Sequence, residues 1–165
     1  MEAVSTGPDA GLRARREAII RQHIEAENRF DVDATIATMK QPRYEVLPYR
    51  VKIQGHAAVR KFLAGHFAAM PAIVTTADRF YHADDAVIVE THVEGRHEGE
   101  IEGIPANGRP FTIDGVGIFS FAPGDDRILG EKVVSDMLSL VRQIQGEART
   151  PVALAGGARK RGRTS

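Results

Sequence analysis

The chain has 165 residues, 42% apolar and 27% charged, which suits one domain with a core of its own. Its formal charge is zero, but the last nineteen residues hold five basic side chains and one acid, which leaves 17 basic and 21 acidic residues in the body, a net −4. A mildly acidic body argues against nucleic acid as the main partner, the absence of cysteine excludes disulfides and thiolate metal sites, and no apolar run approaches the roughly 18–20 residues of a membrane span.

Residues 1–11 read as a flexible leader with no apolar stretch of signal-peptide length, so a cytoplasmic location is expected. From Leu12 the pattern turns helical, with Leu12, Ile19, Ile20, His23 and Ile24 on one face and Arg13, Arg16, Glu17, Arg21 and Glu25 facing out. A short second helix with Asp31 or Asp33 as its N-cap carries Ile36 and Met39. Pro42 breaks it, and Tyr44 to Leu47 and Val51 to Ile53 suit two short strands that pair back as a hairpin around Pro48. Gly55 precedes an amphipathic helix whose buried stripe is Val59, Phe62, Leu63, His66, Phe67 and Met70, and Pro71 stops it.

Four strands follow: Ile73 to Tyr81, Ala86 to Val93 with an extension toward His97, Phe111 to Phe121, and Ile128 to Val134. Turn residues join them and no crossover helix intervenes, which favours an antiparallel meander. A last helix carries Met137, Leu140, Val141 and Ile144 and ends at Gly146. The tail, residues 147–165, is basic and rich in Ala and Gly, and its composition predicts a mobile end. The sum is an α+β layout, with one domain over residues 12–146 and helices on one face of a curved antiparallel sheet. Such a sheet bent around a long helix makes a cone, filled by side chains or open as a pocket.

Asp136, between the last strand and the last helix, is the leading acid–base candidate, although an aspartate there also suits a helix cap. His97 ends a strand between Gly95 and Gly99, where an imidazole can serve as acid, base or donor, or stand as an exposed loop residue. Tyr44 beside Glu45, and His66 on the apolar stripe, are candidate ligand contacts, with Phe62 and Phe119 as apolar ones. Strand alternation places Asp114 opposite Phe111, Ile113, Phe119 and Phe121, and Glu90 opposite Val89, Thr91 and Val93, so both are expected on the outer face. No metal is expected: His92 and His97 are five apart, hence on opposite faces of a strand, and no His-Glu-x-x-His run exists. The glycines between Gly99 and Gly108 match no phosphate or dinucleotide loop, so no cofactor is expected. Without cysteine or a Gly-x-Ser-x-Gly elbow, acid–base chemistry without a covalent intermediate conflicts least with these absences.

Several segments occur in a telling order: Gly55 to Leu63, Gly95-Arg96-His97-Glu98-Gly99, Gly103 to Arg109, Phe119-Ser120-Phe121, Asp126-Arg127-Ile128, Glu131 to Asp136, and Leu140 to Ile144. The set resembles the SnoaL-like polyketide cyclase family, also called ester cyclases, within the nuclear transport factor 2-like superfamily. The resemblance runs from about Leu12 to Gly146. It implies a cone-shaped α+β barrel of the cystatin-like kind with a deep apolar pocket, and a homodimer or homotetramer built through the outer sheet face. It also implies a small apolar or polyketide-like ligand, no nucleic acid, no membrane, and no cofactor. The late aspartate of the family matches Asp136 and its histidine matches His97, which would make them the catalytic pair. Asp136 would remove a proton α to a carbonyl and later protonate the new alkoxide, while His97 and Tyr44 orient the substrate. The sequence departs from the family pattern at Arg96, Ala106-Asn107, and Lys132, Val134 and Ser135. Three readings stay open: an enzyme using proton transfer, a non-catalytic module that binds a small ligand, and a dimerisation domain with its cone packed shut.

Overall fold

The computed structural model describes residues 8–147. Asp9 accepts a hydrogen bond from the Leu12 backbone N–H at 2.7 Å and so caps the first helix, α1 (Ala10–Asn28). Ala10 and Gly11 are therefore helical rather than part of a leader, because the cap precedes the first apolar residue of the stripe. Asp31 caps α2 (Val32–Ala37) in the same way. The hairpin of β1 (Arg43–Val46) and β2 (Val51–Gln54) turns through a single 3-10 turn at Leu47–Tyr49, which Pro48 suits. Then come α3 (His56–Ala69), β3 (Val74–His82), β4 (Ala86–Arg96), β5 (Pro110–Phe121) and β6 (Ile128–Ser135). The last helix, α4 (Met137–Gln145), ends at Gly146, whose φ of 88° is the left-handed C-cap geometry that glycine adopts without a Cβ penalty.

The strands form one sheet in the order β2-β1-β6-β5-β4-β3. The run β3 to β6 is the expected antiparallel meander, and β1 pairs with β2 as a hairpin. The pairing of β1 with β6 is parallel, so the sheet is mixed rather than antiparallel throughout, and β2 and β3 are its two open edges. Pairing with β1 covers β6 and moves that open edge of the sheet to β2, which is only four residues long. Alternation along β4 and β5 holds as expected. Val87, Val89, Phe111, Ile113, Phe119 and Phe121 are buried, while Glu90 and Asp114 are exposed on the outer face.

The inner face carries two apolar clusters. The larger joins α1, α2 and α3 to the sheet through Ile20, Ile24, Ile36, Val59, Leu63, Val87, Phe119 and Ile128. The smaller packs Leu140 and Ile144 of α4 on Phe111 and Ile113. One charged residue joins the core against expectation. Arg16, read as outward-facing, is fully buried, since its spacing from Leu12 and Ile20 places it on the apolar stripe. Its guanidinium donates to the carbonyls of Asp84 at 3.0 Å, Ala122 at 3.2 Å and Asp125 at 3.0 Å, and lies 4.6 Å over the Phe121 ring. It thus ties α1 to the β3–β4 and β5–β6 turns. Arg16→Met should lower unfolding stability by about 2–4 kcal/mol, because several carbonyls lose their donor inside the fold; urea titration of the two proteins measures this.

Candidate functional site

Three strands in register set out the floor of the site. Tyr44 of β1 stands beside Glu131 of β6, and Glu131 beside Phe119 of β5. All three side chains point to the inner face. Helix α1 crosses above them and adds His23 and Glu27, four residues apart and hence on one side of the helix.

These groups bond to one another. Thr38 donates its hydroxyl to the Thr35 carbonyl at 2.6 Å, so its oxygen accepts from His23 Nδ1–H, also at 2.6 Å. That leaves His23 Nε2 turned toward the floor, 2.8 Å from the Tyr44 hydroxyl. Tyr44 in turn donates to Glu27 Oε1 at 2.8 Å. His23 Nε2 also lies 3.4 Å from Glu27 Oε1 and 3.3 Å from Glu131 Oε2. The second of these is a charge contact without hydrogen-bond alignment, and Glu131 Oε2 has no hydrogen-bond partner among the described residues.

Their protonation follows from burial and from each other. Burial works against a charge on His23, but the carboxylates of Glu27 and Glu131 override it and raise its pKa to about 10. Burial alone would raise Glu27; the facing imidazolium and the Tyr44 hydrogen bond win and hold it below the usual carboxylate range. Glu131 goes the other way, pushed up by burial and by the like charge of Glu27, with His23 opposing only in part. Burial and the two carboxylates raise Tyr44 well above its ordinary value, so it stays a neutral donor. The floor therefore holds one imidazolium, one firm carboxylate, and one carboxyl group that takes a proton more readily than usual.

Above the floor lies a cavity of about 180 Å³. Glu27, Tyr44 and Glu131 form its polar end, and its walls are mostly apolar, with Ile24, Phe62, Leu63, Met70, Phe119 and Val133 among them. His66 also lines it, stacked on Phe62 at 6.0 Å, and burial lowers its pKa, which favours the neutral imidazole. The four positions expected to contact a ligand, Tyr44, His66, Phe62 and Phe119, thus all face this one cavity.

The expected catalytic pair does not. Asp136 is exposed, and its carboxylate accepts from the Ser139 backbone N–H at 3.0 Å as the N-cap of α4. It lies in an outer groove with Asp78, Glu90 and Asp114; Thr91, Val116 and Ser135 border both this groove and the cavity, but Asp136 itself does not line the cavity. Strand parity is the reason: Glu131, Val133 and Ser135 face inward, so the next residue of that series to face outward after Val134 is Asp136. His97 is buried, which overturns the exposed-loop reading, yet it too is absent from the cavity lining. Its Nδ1–H donates to Asn107 Oδ1 at 3.0 Å, and Asn107 Nδ2 donates to the Ile144 carbonyl at 2.8 Å. His97 thus pins the loop between β4 and β5 to the end of α4. Gly99 in that loop has a packing role, since a Cβ there would fall 1.9 Å from the Ala69 carbonyl oxygen.

His23, Glu27 and Glu131 were not singled out from the sequence, although two signals were present. His23 and Glu27 are one helical turn apart with His23 on the apolar stripe, and Glu131 shares strand parity with Val133. The basic side chains Arg149, Arg159, Lys160, Arg161 and Arg163, and Val152 and Leu154, lie outside the described residues, as does most of the leader. No helix among the described residues is long and apolar enough to cross a membrane.

The family model of SnoaL-like polyketide cyclases matches residues 17–144, and the chain belongs to that family. Its fold is the α+β cone of the nuclear transport factor 2-like proteins. AclR from Streptomyces galilaeus is similar over 84% of this chain and 90% of its own, at 20% identity and a TM-score of 0.68. A SnoaL-like protein from Jannaschia sp. CCS1 is similar over 90% and 99%, at 15% identity and a TM-score of 0.69. TsrD from Streptomyces laurentii is similar over 80% and 96%, at 25% identity and a TM-score of 0.66. No curated protein matches the sequence.

Removing the cap should separate the stability role of Asp136 from the cavity. Asp136→Ala is expected to cost about 1 kcal/mol of unfolding free energy. Urea denaturation followed by circular dichroism reads the loss.

Proposed function

We propose that the protein is a small-molecule enzyme that moves a proton on a carbonyl-containing, largely apolar metabolite held in the cone cavity. The observation that carries this is the placement of Glu131: a carboxyl group that is nine-tenths buried, at the polar end of an otherwise apolar cavity. Membership of a polyketide cyclase family supports an enzymatic role of the same broad kind.

In this reading Glu131, as the carboxylate, takes the proton from the carbon α to the carbonyl. The C–H electron pair passes into the enolate, and the Tyr44 hydroxyl turns its one proton from Glu27 to the enolate oxygen. Glu131, now protonated, returns the proton to carbon in an isomerisation or to a new alkoxide in an aldol closure. A carboxylate held in an apolar cavity is a stronger base than one in water, which suits a weak carbon acid. The imidazolium of His23 lies behind Tyr44 and offsets the charge of Glu27, so Glu27 fixes the phenol without acting as a second base.

The cavity limits the substrate. A void of about 150 Å³ in an apolar protein interior accepts benzene, so one of about 180 Å³ suits a molecule of one or two rings. Indanone, a two-ring ketone, is a suitable probe. Full-length protein in deuterium oxide should exchange its α-protons, followed by NMR. Glu131→Gln should slow the exchange by about 10²–10⁴-fold, while Asp136→Asn should leave it unchanged. Equal exchange rates for wild type and a folded Glu131→Gln variant that still binds indanone would replace this reading with the ligand-binding module.

A further inference from the structure

The floor of the cone joins three side chains that no sequence motif connects. One donor atom each from His23, Glu27 and Glu131 lies within 4.8 Å of the others. His23 Nε2 stands 3.4 Å from Glu27 Oε1 and 3.3 Å from Glu131 Oε2. Two atoms bound tetrahedrally to one ion at roughly 2.0–2.1 Å are about 3.3–3.4 Å apart. Two of the separations therefore already have the spacing of a metal site.

A second observation points the same way. The Glu131 side chain is only 9% exposed, and its Oε2, the atom that faces His23 Nε2, has no hydrogen-bond partner among the described residues. A buried carboxylate oxygen that has a charge contact but no hydrogen bond is incompletely satisfied, and an ion between it and His23 Nε2 would complete it.

We infer that His23, Glu27 and Glu131 form a binding site for one divalent transition-metal ion, with the Tyr44 hydroxyl at its side. The mixed nitrogen and carboxylate set suits zinc, manganese, iron(II) or cobalt(II). Thr38 supplies the supporting contact that such sites use: by accepting from Nδ1–H it fixes the tautomer that leaves the Nε2 lone pair free for the ion. Charge is balanced, since a dication offsets two carboxylates beside a neutral imidazole. The carboxylates that hold a proton on His23 are the same groups that would hold an ion in its place. Glu27 and Glu131 also line the cavity, so the ion would lie behind its polar end. This inference uses the same cluster but does not rest on the proton-transfer reading.

The test uses tag-free, full-length protein stripped with a chelator and titrated with cobalt(II) alone, followed by visible ligand-field absorption and by equilibrium dialysis. The expected result is one cobalt per chain, lost in Glu131→Gln and in Glu27→Gln, and weakened about 10–100-fold in Thr38→Val. Circular dichroism checks that each variant is folded, and the two glutamine variants stand in for each other if one is not. The exposed His92, 3.0 Å from Asp114, is the control for adventitious binding, and His92→Ala should leave the signal intact. No stoichiometric cobalt, or cobalt that persists in both folded glutamine variants, or cobalt lost in His92→Ala, would overturn the site. Indanone exchange by the chelator-stripped protein reports the proton-transfer reading separately, so either idea can fail alone.

Discussion

The structure turns on the burial of an imidazole, a phenol and two carboxyl groups under α1. Taking an isolated charge out of water costs several kcal/mol even after relaxation, so none of these groups is tolerable alone. Each is made tolerable by another. Thr38 fixes one nitrogen of His23, Tyr44 sits between His23 and Glu27, and Glu27 and Glu131 hold the charge on the imidazole. The consequence is geometric as well as electrostatic. The helix cannot slide along the sheet without separating Glu27 from Tyr44, so the register of α1 over β1 and β6 is tied to the polar contacts, while the apolar stripe around them supplies the bulk of the packing. Arg16 does the same at the other end of the stripe, where its guanidinium bonds to backbone carbonyls of two turns. An apolar helix face would be free to shift by small amounts; one with polar contacts near both ends is not.

Most of the secondary structure was legible because each element carries its own punctuation. Asp31, Pro42, Gly55, Pro71 and Gly146 mark boundaries that the chain respects, and period-two alternation in β4 and β5 sorts Glu90 and Asp114 from the core. The parallel pairing of β1 with β6 was not legible. It joins residues almost ninety positions apart, from Tyr44 to Glu131, and nothing local in either strand distinguishes a parallel neighbour from an antiparallel one. Arg16 was misread for a different reason. Its charge was allowed to outweigh its spacing, and a buried arginine escapes a rule based on polarity whenever backbone carbonyls take the place of water.

The site shows how a family pattern and local geometry diverge. Ordered motifs directed attention to the last residue before α4, and Asp136 is there, but it is engaged in capping on the outer side. Parity along β6 was sufficient to find the inward carboxyl group five residues earlier. His97, likewise, has a conspicuous glycine-flanked position whose purpose is to anchor a loop on α4. By contrast, Tyr44, Phe62, His66 and Phe119 all line the cavity, and for Phe62, His66 and Phe119 apolar periodicity alone indicates the inner face. Contacts set by periodicity could be read; a cluster assembled from α1, β1 and β6 could not, since its members have in common only their place in the finished fold.

That assembly also explains why the polar groups lie at one end of the cavity. The curved sheet brings β1, β6 and β5 under α1, and α4 covers another part of the inner face through Phe111 and Ile113. Between these two coverings the walls come from residues of both apolar clusters, so they offer shape but few partners for a polar ligand. A molecule entering this space can satisfy a carbonyl or hydroxyl group at Tyr44 and Glu131, and gains mainly apolar contact elsewhere. Orientation is thereby decided by polarity. A ligand with one polar end has a single favourable direction, with that end at the Tyr44 and Glu131 side of the cavity.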